Sequence, residues 1–230
     1  MKKLAVVTGG TKGIGRELIH VFAANHFDIV TCSRNRSEVE LLAGEITATY
    51  AVKVIGVPTD LTKREQIGTF VDEVRALGRP VDVLVNNAGF FIPGRIVDEP
   101  EGNLNAMIEA NLYSAYHVTR GLVTGMIERK SGHIFNMCSI ASFTAYANGG
   151  SYAISKFAML GFSRCLREEL KPSGIRVTRL CPEPRIPTVG RVAKSPRIDS
   201  CLRKISQSWC FRPIPCRPDR LWRISSYVRS

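Results

Sequence analysis

Between Lys3 and Phe22 the chain passes from a short apolar run into the turn Thr8-Gly9-Gly10-Thr11-Lys12-Gly13-Ile14-Gly15, and then places Ile14, Leu18, Val21 and Phe22 at helical spacing. An apolar run of that length bounded by glycine is a buried strand, and the spacing beyond the turn is that of an amphipathic helix. Strand, glycine-rich turn and helix in direct succession leave few folds open. Gly9, Gly13 and Gly15 let the turn close and let backbone approach a ligand, while the helix start beyond offers unpaired N–H groups and a positive dipole end. A pyrophosphate suits such a site, so Gly9, Thr11, Lys12, Gly13, Ile14 and Gly15 are candidate contacts for a dinucleotide.

The rest of the first 180 residues repeats the theme. Apolar runs at 27–32, 52–57, 81–85, 133–138 and 175–180 alternate with helical patterns carried by Val39, Leu42 and Ile46, then by Ile67, Phe70, Val71, Val74 and Leu77. A longer one follows, with Ile108, Leu112, Ala115, Thr119, Leu122 and Met126 on one face, and another begins near Ser151. Alternation of this kind predicts an α/β fold, a Rossmann-type doubly wound parallel sheet with helices on both faces. Ligands bind such sheets at the carboxyl ends of the strands. Those ends carry Ser33 and Arg34, Asp60 and Leu61, and Asn86-Asn87-Ala88-Gly89. An acidic residue after the second strand would bind a ribose 2′-hydroxyl, whereas arginine accommodates a 2′-phosphate. With Arg34 there and Lys12 in the turn, NADP is expected over NAD. Two solvated surface cations are the structural alternative, and for Asp60 the alternative is a helix cap near Thr62.

Tyr152 and Lys156 stand four apart on the helix expected from about Ser151, so they share a face. A cation beside a phenol favours phenolate and brings the tyrosine toward the range where a general acid or base operates. Ser139, at the end of the fifth strand, is placed to hydrogen-bond a substrate carbonyl, or simply to cap a turn. Asn111 lies mid-helix, where its side chain competes for backbone hydrogen bonds and its presence needs a reason.

Taken together these stretches resemble the classical short-chain dehydrogenases/reductases over about residues 3–182. The resemblance rests on five ordered signatures: Thr8-Gly9-x-x-x-Gly13-Ile14-Gly15, Asp60-Leu61, Asn86-Asn87-Ala88-Gly89, Asn111, and Ser139 with Tyr152-x-x-x-Lys156. It implies hydride transfer between NADP(H) and a ketone or aldehyde/alcohol pair, with Tyr152 as proton donor or acceptor. Lys156 would lower the tyrosine and hold the nicotinamide ribose, Ser139 would position the carbonyl, and Asn111 would hold a water of a proton relay. Asp60 would contact adenine, and Asn87, Ala88, Gly89 and Pro182 would line the cofactor cleft. Phe90, Phe91, Ile92, Ile140, Phe143 and Tyr146 are candidates for an apolar wall around a small-molecule substrate, or for core.

The net charge of +12 is unevenly spread: residues 1–180 hold 21 basic against 17 acidic side chains, and residues 181–230 hold 11 against 3. The basic excess therefore belongs mainly to the tail, and without an aromatic-rich groove or motif it argues against a nucleic-acid partner. At Pro182-Glu183-Pro184 the family pattern Pro-Gly-x-Val-x-Thr is lost. Residues 183–230 read as an irregular tail rather than a domain, with the composition of an out-of-frame continuation. Two alternatives to the active reductase follow: a cofactor-binding but catalytically impaired relative, and a binder of anionic surfaces through the tail. Assembly into a homo-oligomer is left in doubt for the same reason. Four scattered histidines give no metal-ligand spacing, and seven cysteines do not suggest a disulfide framework, so no metal is expected. No run approaches the ~20 apolar residues of a membrane span, and the chain is read as cytoplasmic.

Overall fold

The computed structural model describes residues 1–182; the readings placed on 183–230, an irregular basic tail of out-of-frame origin, lie outside the described residues. Six strands form one parallel sheet in the order β3-β2-β1-β4-β5-β6. They are β1 Leu4–Thr8, β2 Asp28–Ser33, β3 Val54–Pro58, β4 Val83–Asn86, β5 Gly132–Met137 and β6 Ile175–Leu180. The chain winds outward from β1 to β3, crosses back and winds the other way from β4. The reversal between β1 and β4 opens the crevice in which such sheets bind ligands. Registers such as Val6↔Leu84 and Val85↔Phe135 bring the strand ends to one level.

Alternate strand residues serve opposite faces of the sheet. Leu4, Val6, Leu84 and Ile134 face α3 (Arg64–Ala76), α5 (Ser114–Arg129) and α6 (Gly150–Leu170), whereas Ala5, Val7, Val83 and Phe135 face α1 (Gly13–Ala24) and α2 (Arg36–Tyr50). Phe22, Phe70 and Phe135 are fully buried, each contributing on the order of 1.5–3 kcal/mol of transfer free energy. Strand runs that are apolar throughout are therefore the pattern of a sheet covered on both sides. Among the described residues no helix is long and apolar enough to cross a membrane, and no group of three or more metal-ligating side chains converges.

The structure departs from the sequence pattern at Asn111 and decides against one alternative at Asp60. The long helix around Asn111 is present but not α-helical throughout: α4 (Asn103–Ile108) passes through a π turn, Glu109–Tyr113, into α5. The extra residue of the wide turn shifts the buried face. Downstream Ala115, Thr119, Leu122 and Met126 are buried as their spacing predicts, but upstream Met107, Ala110 and Asn111 replace Ile108 and Leu112. Nor does Asp60 cap α3. The N-cap is Lys63, with no side-chain cap, and the Asp60 carboxylate instead accepts from Thr62 N at 3.0 Å and Thr62 Oγ1 at 2.9 Å.

Candidate active site

At the carboxyl ends of the strands lies a cleft of about 830 Å³, within the usual range of small-molecule sites. Of the catalytic and cofactor-binding residues expected from the sequence, it gathers all but Gly13, Gly15 and Asn111. Of the proposed apolar wall, Phe90, Phe91, Ile140 and Tyr146 line it. Ile92 does not, and Phe143 lies beneath the Arg179 guanidinium at 5.6 Å.

One end is made of backbone. Gly9 adopts φ +67°, a left-handed conformation that glycine takes without cost, and turns the chain out of β1. A Cβ on Gly15 would stand 2.3 Å from the Gly9 carbonyl oxygen and 2.5 Å from Asn87 Nδ2, so helix α1 packs on the turn only because Gly15 has none. No side chain caps α1, and its first N–H groups remain for an anion. Asn87 staples the turn to β4, donating through Nδ2 to Thr8 O at 2.9 Å and Gly9 O at 3.0 Å. A turn of this kind fits the diphosphate of a dinucleotide.

Beside it, Thr11 Oγ1 donates to Ser33 Oγ at 3.2 Å. Arg34 is exposed on the cleft. Lys12 is not a free cation, because its ammonium pairs with Glu38 at 2.8 Å and holds that carboxyl below its usual range. The sequence signal for Glu38 was the capping spacing Asn35-x-x-Glu38: Asn35 Oδ1 accepts from Glu38 N and fixes the glutamate at the start of α2.

The other end is made of side chains. Lys156 on α6 is only 5 % exposed. Its ammonium donates to Met137 O at 2.9 Å and stands 5.8 Å from the centroid of the Tyr152 ring. Burial brings it down to about 8, against the opposing influence of the Cys138 and Cys181 sulfurs. Phe91 packs on Tyr152 with ring centroids 4.6 Å apart. Ser139 does cap a turn: its Oγ accepts from Ala141 N at 3.2 Å, while Ser142 Oγ accepts from Ser139 N. That capping bond occupies a lone pair and leaves the hydroxyl proton to be donated.

Asn111 is fully buried in the π turn and does not reach the cleft. Its Oδ1 accepts from Phe90 N at 2.8 Å, and its Nδ2 donates to Phe90 O and Ser155 Oγ. Ser155 in turn donates to Tyr152 O at 2.7 Å. The asparagine thus ties the Gly89–Phe90 loop to the helix turn bearing Tyr152, and a Cβ on Gly89 would meet its Oδ1 at 2.4 Å. Ser155 was not singled out from the sequence, and nothing in its spacing marked it. Glu99 adds a second clamp on α6, accepting from Ser151 Oγ at the helix start.

Comparison with known proteins bears on the family and the fold. A family model described as short chain dehydrogenase matches residues 3–191, nine residues past Pro182. The bovine (Bos taurus) protein called dehydrogenase/reductase SDR family member 7B is 34% identical over 184 residues, 78% of this chain and 57% of the relative, so the chain spans little more than half of that protein. A metagenomic short-chain oxidoreductase solved with NADP superposes with a TM-score of 0.79 at 28% identity, covering 92% of this chain and 91% of the other. L-sorbose reductase from Gluconobacter frateurii, solved with NADPH and L-sorbose, gives 0.76 at 30% identity over 79% and 69%.

Proposed function

This chain belongs to the short-chain dehydrogenase family, whose members are NAD(P)-dependent oxidoreductases, and on that premise we propose that it reduces a ketone or aldehyde with NADPH, Tyr152 giving the proton. The observation that carries the reading is the meeting of Ser139, Tyr152 and Lys156 in the same cleft as the glycine turn. Gly9, Thr11, Ile14 and the start of α1 would hold the diphosphate, Arg34 and Lys12 the 2′-phosphate, and Asp60 with Leu61 the adenine side. Asn87, Ala88, Gly89 and Pro182 would flank the nicotinamide half. When bound, the nicotinamide supplies the hydride.

The protein's own task is orientation and proton transfer. Ser139 donates its free hydroxyl proton to the substrate carbonyl oxygen, polarising the carbon. Tyr152 delivers its phenolic proton to that oxygen as it becomes an alcohol, and the resulting phenolate is stabilised by the Lys156 ammonium. Preorganisation makes this economical: Lys156 is fixed by Met137 O, and the Tyr152 turn by Ser155 and Asn111. Asn111 acts as a positioning residue through Phe90 and Ser155. Phe90, Phe91, Ile140 and Tyr146 favour a substrate with apolar flanks.

Preference for NADPH rests on Arg34, which has no ion-pair partner among the described residues, and on Lys12 exchanging Glu38 for phosphate. Titrating the full chain with NADPH and with NADH, following melting temperature and nicotinamide fluorescence, tests it. Saturable stabilisation by NADPH at roughly tenfold lower concentration, equivalent to ~1.4 kcal/mol, is expected. Equal affinity for the two would remove the role given to Arg34, and no response to either would contradict the reading.

A further inference from the structure

We propose that Cys138 and Cys181 form a redox-reactive pair beside the cleft, closed to a disulfide by hydrogen peroxide and reopened by a thiol reductant. Neither sulfur has a part in the proton transfer described above. Each follows one member of the last register pair between β5 and β6, Met137↔Leu180, and Cys138 N donates to Leu180 O at 2.8 Å, which keeps the two strands joined at that level. Neighbouring strands lie about 4.8 Å apart, inside the ~4.4–6.8 Å Cα separation that a disulfide spans. Both side chains also pack into one small cluster with Ala115, Met159 and Phe162, so they point to the same face of the sheet.

The two are unequal. Cys138 is 2 % exposed, and the neighbouring Cys181 thiol together with burial pushes its thiol up and keeps it neutral. Cys181 is half-buried and accessible to a small oxidant. The Lys156 ammonium feels both sulfurs and favours a thiolate beside it. In the first step the Cys181 sulfur attacks a peroxide oxygen, the O–O bond breaks, and a sulfenic acid and one water result. In the second, the Cys138 sulfur displaces the sulfenic hydroxyl, its thiol proton leaves with that hydroxyl as a second water, and the S–S bond forms. Two thiols lose two electrons and two protons to one peroxide. The bond fixes the spacing between Cys138-Ser139 and Cys181-Pro182, of which Cys138, Ser139 and Pro182 line the cleft.

The test treats the reduced full chain with increasing hydrogen peroxide, alkylates the remaining thiols, and maps the seven cysteines by peptide mass. The expected first product is a Cys138–Cys181 linked peptide, lighter by two hydrogens and absent after thiol reduction, formed at peroxide levels that leave the exposed Cys165 alkylatable. In the Cys138→Ser variant, Cys181 is expected to stop at a sulfenic acid that a cyclic dione traps. Oxidation of Cys165 while both pair members stay alkylatable, linkage of either to another cysteine as the first product, or no trapped sulfenic acid in Cys138→Ser would overturn the proposal. The chemical step does not depend on the function proposed above. A several-fold, reductant-reversible loss of NADPH affinity on oxidation does, so mapping without that loss would bear on the reductase reading alone.

Discussion

The two ends of the cleft hold their ligands by different means. Around Gly9, Gly15 and the start of α1 the working groups are backbone N–H groups, and the side chains that matter are those that are absent. Around β5 and α6 the working groups are a hydroxyl, a phenol and an ammonium, set by local turn bonds at Ser139 and Ser155 and by Met137 and Asn111 farther along the chain. A backbone site is fixed once the turn closes, whereas a side-chain site needs a scaffold behind it. Stability and function should therefore separate at one end and not at the other.

The widest separation is expected at Lys156. Its buried ammonium costs desolvation and contributes one hydrogen bond, to Met137 O. Lys156→Met should lower turnover by ~10²–10⁴-fold while leaving the melting temperature equal or higher. A variant that simply unfolds would break the contrast. At the backbone end the two should fall together. In Gly15→Ala the new Cβ meets Gly9 O, and shifting the turn should weaken NADPH by roughly 10–100-fold, about 1.4–2.8 kcal/mol, and lower the melting temperature as well. Unchanged stability with binding lost would show that the turn is less constrained than its contacts imply.

Acidity sharpens the same division. Lys156 titrates in the folded protein at about 8, below its ordinary 10.5, so its charge is present below that value and is lost as pH rises through it. NADPH affinity should fall several-fold from about pH 7 to about pH 9. An adenosine bisphosphate fragment, which reaches Arg34, Lys12 and the adenine side but not Lys156, should bind equally across the range. A parallel decline for the fragment would assign the titration elsewhere. The smallest effect is expected at Glu38: Glu38→Gln releases Lys12 from its exposed ion pair and should tighten NADPH roughly two- to threefold at low salt, with NADH unaffected.

This contrast also explains what could be read from the chain. The strands, their order of appearance and the glycine turn were legible because a doubly covered parallel sheet demands uniformly apolar runs, and because a strand-to-helix turn around an anion demands glycine at fixed places. Tyr152 and Lys156 were legible as one helix face. The supports behind them were not. The π turn leaves no local mark except an asparagine in an unfavoured place, and Ser155, Ser142, Glu99 and Gly10 act through partners 3 to 52 residues away or through close packing. Asp60 was placed correctly in the cleft, yet its capping alternative failed because its carboxylate closes onto Thr62 two residues on. Lys12 showed its charge in the sequence, while its engagement with Glu38 needed the fold.

The most direct test of the account is turnover. The full chain saturated with NADPH is offered a panel of ketones and aldehydes with apolar flanks, and loss of nicotinamide absorbance is followed beside the Tyr152→Phe variant. Carbonyl-dependent oxidation of NADPH is expected, falling ~10²–10⁴-fold in Tyr152→Phe with NADPH affinity nearly unchanged. NADPH binding without turnover of any carbonyl, or turnover that survives Tyr152→Phe, would contradict it.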